Sequence, residues 1–180
     1  MTARPTDGPV VLRDDLGDPA REILGFIRDV IGRRRDDEGH IGVFCRFIRP
    51  ALRNDAIRFD ECRDADEEAA RRAFAEAIAS SRLTETDPRE YALILAFPSV
   101  DASETIDVLY RLRQEFIGTL ADAGMTGALV FRRGAPGAVD GRVGVAPATP
   151  FWVLRFLLPE DEALSRSDPR TSAAWAARYR

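Results

Sequence analysis

YALILAF, residues 91–97, is the stretch on which the fold turns. It carries no charge and no polar alternation, and Pro98 closes it. A short, unbroken apolar run of this kind reads as an interior strand covered on both faces. Before it, AIRFDEC (residues 56–62) alternates apolar and polar, the mark of a half-buried strand. Between the two lies a helix over residues 67–81, with Asp64 as its expected cap and Ala70, Phe74, Ala77 and Ile78 on its inner face. TETDPRE, residues 84–90, is a turn.

After the run, Ser103 opens a second helix, with Leu109, Tyr110, Leu112, Phe116 and Leu120 among its expected core stripe and Gly124 as its stop. Residues 125–132 and FWVLRFLL (residues 151–158) are strands, separated by the glycine- and proline-rich loop 134–150. Upstream, Asp18 followed by Pro19 starts a first helix as cap and first turn, with Ile23, Phe26, Ile27, Val30 and Ile31 as its stripe. Residues 1–17 form a flexible arm, residues 18–165 a single α+β domain, and residues 166–180 a helical tail. The expected architecture is a two-layer α+β sandwich, an about four-stranded mixed sheet with helices mainly on one face. Strand order is left open, with right-handed crossovers.

Composition narrows the chemistry. All 26 basic residues are arginine, so no lysine exists to form a Schiff base or a G-K-[ST] phosphate loop. One histidine and two cysteines cannot close a four-ligand Cys/His zinc site without carboxylates. The net charge of −4 argues against a nucleic-acid binder. With no apolar run of about 18 residues, no membrane span is expected. The first residues lack the pattern of a secretory signal, so a reduced, cytoplasmic protein is expected.

GHIGVFCRFIRPAL, residues 39–52, contains His40 and Cys45. Cys45 stands between Phe44 and Phe47, beside Arg46 and Arg49. Its thiol suits a metal or haem ligand, an activated nucleophile, or a small buried hydrophobe. His40 suits an axial ligand, a general base, or an exposed loop position. Cys62, on a strand, reads as core. Arg155 is the lone charge in FWVLRFLL, and an interior position would oblige it to find a carboxylate or an anionic ligand; an edge position would leave it in water. The acidic run Glu160, Asp161, Glu162 reads as helix-start charge without a catalytic role.

Four elements together resemble an actinobacterial domain family of unknown function, common in natural-product gene clusters and marked by G-x-x-C-P-F-V-x-x-A-L. Here they are Gly42-Val43-Phe44-Cys45-Arg46-Phe47-Ile48-Arg49-Pro50-Ala51-Leu52, the strand ending Phe97-Pro98, Gly124-Met125-Thr126-Gly127, and the arginine-bearing strand up to Arg155. Arg46 stands where that family has proline. The same element is similar to the YqcI/YcgG family of haem-dependent amino-acid N-oxygenases. The resemblance implies haem-dependent oxidation of an amine-bearing small molecule. On it, His40 or Cys45 would ligate the iron, with Phe47 and Arg49 beside the cofactor. Cys45 and Arg155 would be catalytic, Arg155 holding a propionate or substrate carboxylate, with loop 134–150 as lid. The rival expectations are a cofactor-free binding protein with a pocket of Phe44, Phe47, Phe97 and Trp152, and a homodimer built on a sheet edge and the C-terminal helix.

Overall fold

The computed structural model describes residues 17–28, 51–52, 54, 56–64, 66–83, 87–89, 91–98, 104–130, 138–139, 142–143, 147–162, 166 and 168–179. Strand β2, Ala92–Ala96, is buried at every position, as its unbroken apolarity requires. Leu93 and Leu95 point to one face of the sheet and Ala92, Ile94 and Ala96 to the other, and each set joins a separate core cluster. Each fully buried leucine or isoleucine contributes about 1.5–3 kcal/mol.

Strand β1, Ile57–Glu61, runs parallel to β2 along one edge. Strand β6, Phe151–Phe156, runs antiparallel on the other side, and β3, Met125–Val130, completes the order β1-β2-β6-β3. The protein is thus an α+β fold on a four-stranded mixed sheet. Inserting β6 between β2 and β3 makes FWVLRFLL an interior strand, which decides the environment of Arg155. Within loop 134–150 a short ladder forms, β4, Ala138–Val139, with β5, Arg142–Val143. The sequence between them, Asp140-Gly141, is a two-residue hairpin signal that a reading as plain loop passes over.

Helices α2, Glu67–Ser81, and α3, Glu104–Asp122, cover the face of Leu93 and Leu95. Helix α1, Asp18–Phe26, covers the other with Ile23, Leu24, Phe26 and Ile27. Three local expectations are corrected. The cap of α2 is Asp66, whose carboxylate accepts from Ala69 N at 2.7 Å, and not Asp64. Gly17 caps α1, while Asp18 stands one place inside the helix and pairs with Arg21 at 2.8 Å. Tyr110, counted in the α3 stripe, is 47% exposed, because Leu109, Leu112, Phe116 and Leu120 already fill the buried arc.

Gly124 takes φ +66°, which L side chains avoid, and turns the chain from α3 into β3. Its carbonyl accepts from Leu157 N at 2.8 Å, tying that turn to the end of β6. Beyond β6, a 3-10 turn, Pro159–Asp161, leads to helix α4, Pro169–Tyr179. Helix α4 is held by Trp175 Nε1 donating to Leu158 O at 2.9 Å and Tyr179 Oη donating to Leu157 O at 2.6 Å.

One buried hydroxyl pair makes stability respond to pH. Tyr91 Oη and Ser81 Oγ lie 2.8 Å apart, and Ser81 Oγ also donates to Ala77 O at 2.7 Å. Burial pushes the Tyr91 phenol above its ordinary range. The folded state therefore holds that proton more tightly than the unfolded chain, so this contribution is complete below the unfolded pKa of about 10 and is lost as pH rises through the folded value. Wild type should lose urea resistance above that pH more steeply than Tyr91→Phe, and parallel curves would remove Tyr91 as the cause.

Candidate functional site

Arg155 and Trp152 both belong to β6, but they leave it on opposite faces and near opposite ends. Arg155 is in register with Ala92 and Thr126, at the end of the sheet where β1 and β2 begin. Its Nη1 donates to Asp161 Oδ2 at 2.6 Å and its Nη2 to Asp161 Oδ1 at 2.8 Å, a two-pronged ion pair. Nη1 also donates to Phe156 O at 3.0 Å. Asp161 Oδ2 accepts in addition from Leu158 N at 2.8 Å, so the carboxylate closes the 3-10 turn as it neutralises the guanidinium. The two side chains are only 14% and 6% exposed.

The need that position creates for Arg155 is therefore met by a carboxylate of the chain itself. Asp161 is the residue that sequence reading missed, placing it with helix-start charge. The available signal was proximity, since Pro159 starts a turn that carries Asp161 back to Arg155.

At the other end, where β1 and β2 finish, Cys62, Phe97 and Trp152 gather on the α2–α3 face. Cys62 N donates to Ala96 O at 2.8 Å, which extends the β1–β2 ladder one step and turns the thiol into the same cluster as Phe97. The thiol donates to Asp64 O at 3.5 Å, and burial pushes it above its ordinary pKa. It is thus a neutral, weakly nucleophilic sulfur. Trp152 is in register with Leu95 and Leu129. Its ring stands edge-on to Phe74, with centroids 3.9 Å apart, and to Phe97 at 5.1 Å.

Phe97 and Trp152, expected in a pocket wall, spend their rings on core packing and are 0% and 1% exposed. What stays unspent is the indole nitrogen. Trp152 Nε1 is buried and meets no hydrogen-bond acceptor among the described residues. Leaving such a donor unmet costs about 1–3 kcal/mol, and native interiors rarely do so. The contrast with Trp175, whose Nε1 reaches Leu158 O at 2.9 Å, marks Trp152 as the exception.

His40, Phe44, Cys45, Phe47 and Arg49 lie outside the described residues. The element that contains them ends in Ala51 and Leu52, which are helical and pack with α1 against the far face of the sheet. Ala56 N closes back on Ala51 O at 2.9 Å just before β1. Among the described residues no group of three His, Cys, Asp or Glu side chains could hold a metal ion.

Of the residues that the resemblance assigns to a haem enzyme, Arg155 alone is described. Its guanidinium is held by Asp161, and the one described thiol, Cys62, lies in the core cluster and is pushed above its ordinary pKa by burial. No family model, curated protein or solved structure matches the chain. No helix among the described residues is long and apolar enough to cross a membrane.

Proposed function

We propose that this chain binds an amine-bearing small molecule of specialised metabolism at the end of the sheet where β1 and β2 finish, without a prosthetic group. An oxygen of the ligand, a carbonyl or carboxylate, accepts from Trp152 Nε1–H. The buried, unmatched indole donor carries this reading. Its place supports it, because ligands of open α/β sheets collect at the carboxyl ends of parallel strands. Phe97 and the neutral Cys62 thiol supply an apolar setting in which one hydrogen bond discriminates strongly. Since the nitrogen is closed to solvent, ligand entry requires this edge to open. A cytoplasmic location belongs to the same reading and follows from the sparing use of cysteine.

Trp152→Phe keeps an aromatic ring in the core and deletes only the donor and part of the ring volume. By native mass spectrometry, wild type should carry a small-molecule adduct, or take up added L-arginine or L-lysine, at least about tenfold more readily than Trp152→Phe. Equal occupancy in the two proteins would defeat the proposal.

A second reading, haem-dependent oxidation of the same class of molecule, is favoured by the element at residues 42–52. It requires His40 or Cys45 at the iron. Titration with hemin separates the two readings. The binding reading expects the visible spectrum of free hemin, and a sharpened Soret band lost in Cys45→Ala or His40→Ala would establish the other.

A further inference from the structure

The site proposed above is closed, since Trp152 is 1% exposed, and a ligand reaches its indole only when a neighbouring segment gives way. Two described segments with unequal ties flank that end of the sheet. The turn from β1 into α2 is held firmly. Cys62 N donates to Ala96 O at 2.8 Å, the Cys62 thiol to Asp64 O at 3.5 Å, and Ala69 N to the Asp66 carboxylate at 2.7 Å. Residues 147–150, which lead into β6, are held more lightly. Pro147 and Pro150 have no N–H to donate. Among the described residues the segment is tied by Ala148 N donating to Glu22 Oε1 at 3.0 Å and by Phe97 N donating to Pro150 O at 3.0 Å.

Helix α1 grips the entry to β6 at two places one turn apart. Phe26 stands edge-on to Phe151, with ring centroids 6.3 Å apart, and Glu22 holds Ala148. The ring contact is buried in the core of the α1 face, whereas Glu22 and Ala148 are exposed, so water competes for their hydrogen bond. The first contact suits a hinge and the second a catch. The remaining tie leads to the indole itself. Phe97, whose N–H holds Pro150 O, is the residue whose ring stands against Trp152 at 5.1 Å.

We infer that residues 147–150 are the gate to Trp152 and that Glu22 is its latch, a positioning residue that touches no ligand. The inference rests on the binding reading above. Release of Ala148 lets the segment swing about Phe151. Pro150 O then parts from Phe97 N, and the ring that closes over the indole loses its backbone tether.

The experiment follows hydrogen exchange in 15N-labelled full-length protein transferred to deuterium oxide. The Trp152 indole proton is buried, so it exchanges only when the edge opens. Glu22→Ala should speed that exchange about two- to tenfold, the worth of one hydrogen bond. The Trp175 indole and the amides of Leu93 and Leu95 should keep their wild-type rates. Glu22→Gln retains an acceptor oxygen and should exchange at a rate nearer wild type than Glu22→Ala. Added L-arginine or L-lysine should enter Glu22→Ala faster by the same factor. An unchanged Trp152 rate, an equal acceleration of Trp175 and the β2 amides, or a glutamine variant as fast as the alanine one would each overturn the latch. Faster exchange with unchanged ligand entry would overturn the gate. Exchange is read without ligand, so its failure stays distinct from that of the binding reading, which shows as absent occupancy.

Discussion

Asp161→Asn is expected to lower unfolding stability by about 3–5 kcal/mol, although Asp161 touches no ligand. The substitution keeps the shape of the side chain and removes its charge, so the Arg155 guanidinium, 14% exposed, loses the carboxylate that grips it with two prongs. The amide also loses one of the two carboxylate oxygens that accept from Nη1 and Nη2, and its NH2 would confront a donor. Urea unfolding monitored by circular dichroism measures the loss. Replacing both partners, Arg155→Met with Asp161→Leu, should restore most of it, because the cost lies in breaking one side of a buried pair more than in any net worth of the pair. Asp18→Asn, at an exposed pair, should cost less than about 1 kcal/mol. A loss below about 1 kcal/mol for Asp161→Asn would mean that the guanidinium reaches water or another acceptor. It would also return Arg155 to candidacy as an anion holder.

Phe74→Ala should cost about 3–5 kcal/mol. Phe74 is 1% exposed and sits between Phe116, at 4.6 Å between centroids, and Trp152, at 3.9 Å. Deleting it removes transfer free energy and leaves a cavity that two rigid rings and a sheet cannot readily fill. Tyr110→Ala, on the next helix but 47% exposed, should change stability by about 0.5 kcal/mol or less. The comparison asks whether the aromatic group beneath the sheet is the principal core. Similar losses for the two variants would place the centre of the core elsewhere. Because Trp152 is part of this group, Phe74→Ala should also loosen the indole that the proposed ligand meets.

Much of this architecture is legible in the sequence. YALILAF needed cover on both faces, and α1 on one side with α2 and α3 on the other provide it. The inner residues of α2, among them Phe74 and Ile78, follow directly from helical spacing. The misreadings were local and have local causes. Asp64 and Asp66 are equally good caps on composition, and only the backbone path chooses between them. Tyr110 fits the periodicity, yet a helix of that width offers only one buried arc.

The chemistry was less legible. The position of β6 between β2 and β3 follows from pairing over long sequence distance, which no local pattern encodes, and that position determines what Arg155 requires. A lone charge in an apolar strand left two readings, a partnered interior arginine and a solvated edge one. That the partner is Asp161 depends on how a 3-10 turn folds back. The unmet indole of Trp152 could not have been read at all, since tryptophan in a strand predicts burial but says nothing of what its nitrogen finds. His40 and Cys45, which dominated the sequence reading, lie outside the described residues, and the proposed site stands on other groups.

The most direct test uses the only two tryptophans in the chain. In 15N-labelled protein their indole N–H groups give two resolved signals, recorded as L-arginine or L-lysine is added. The Trp152 proton should move downfield as it gains an acceptor, while that of Trp175, already donating to Leu158 O at 2.9 Å, stays in place. Two stationary signals, or movement of Trp175 alone, would contradict a ligand on Trp152.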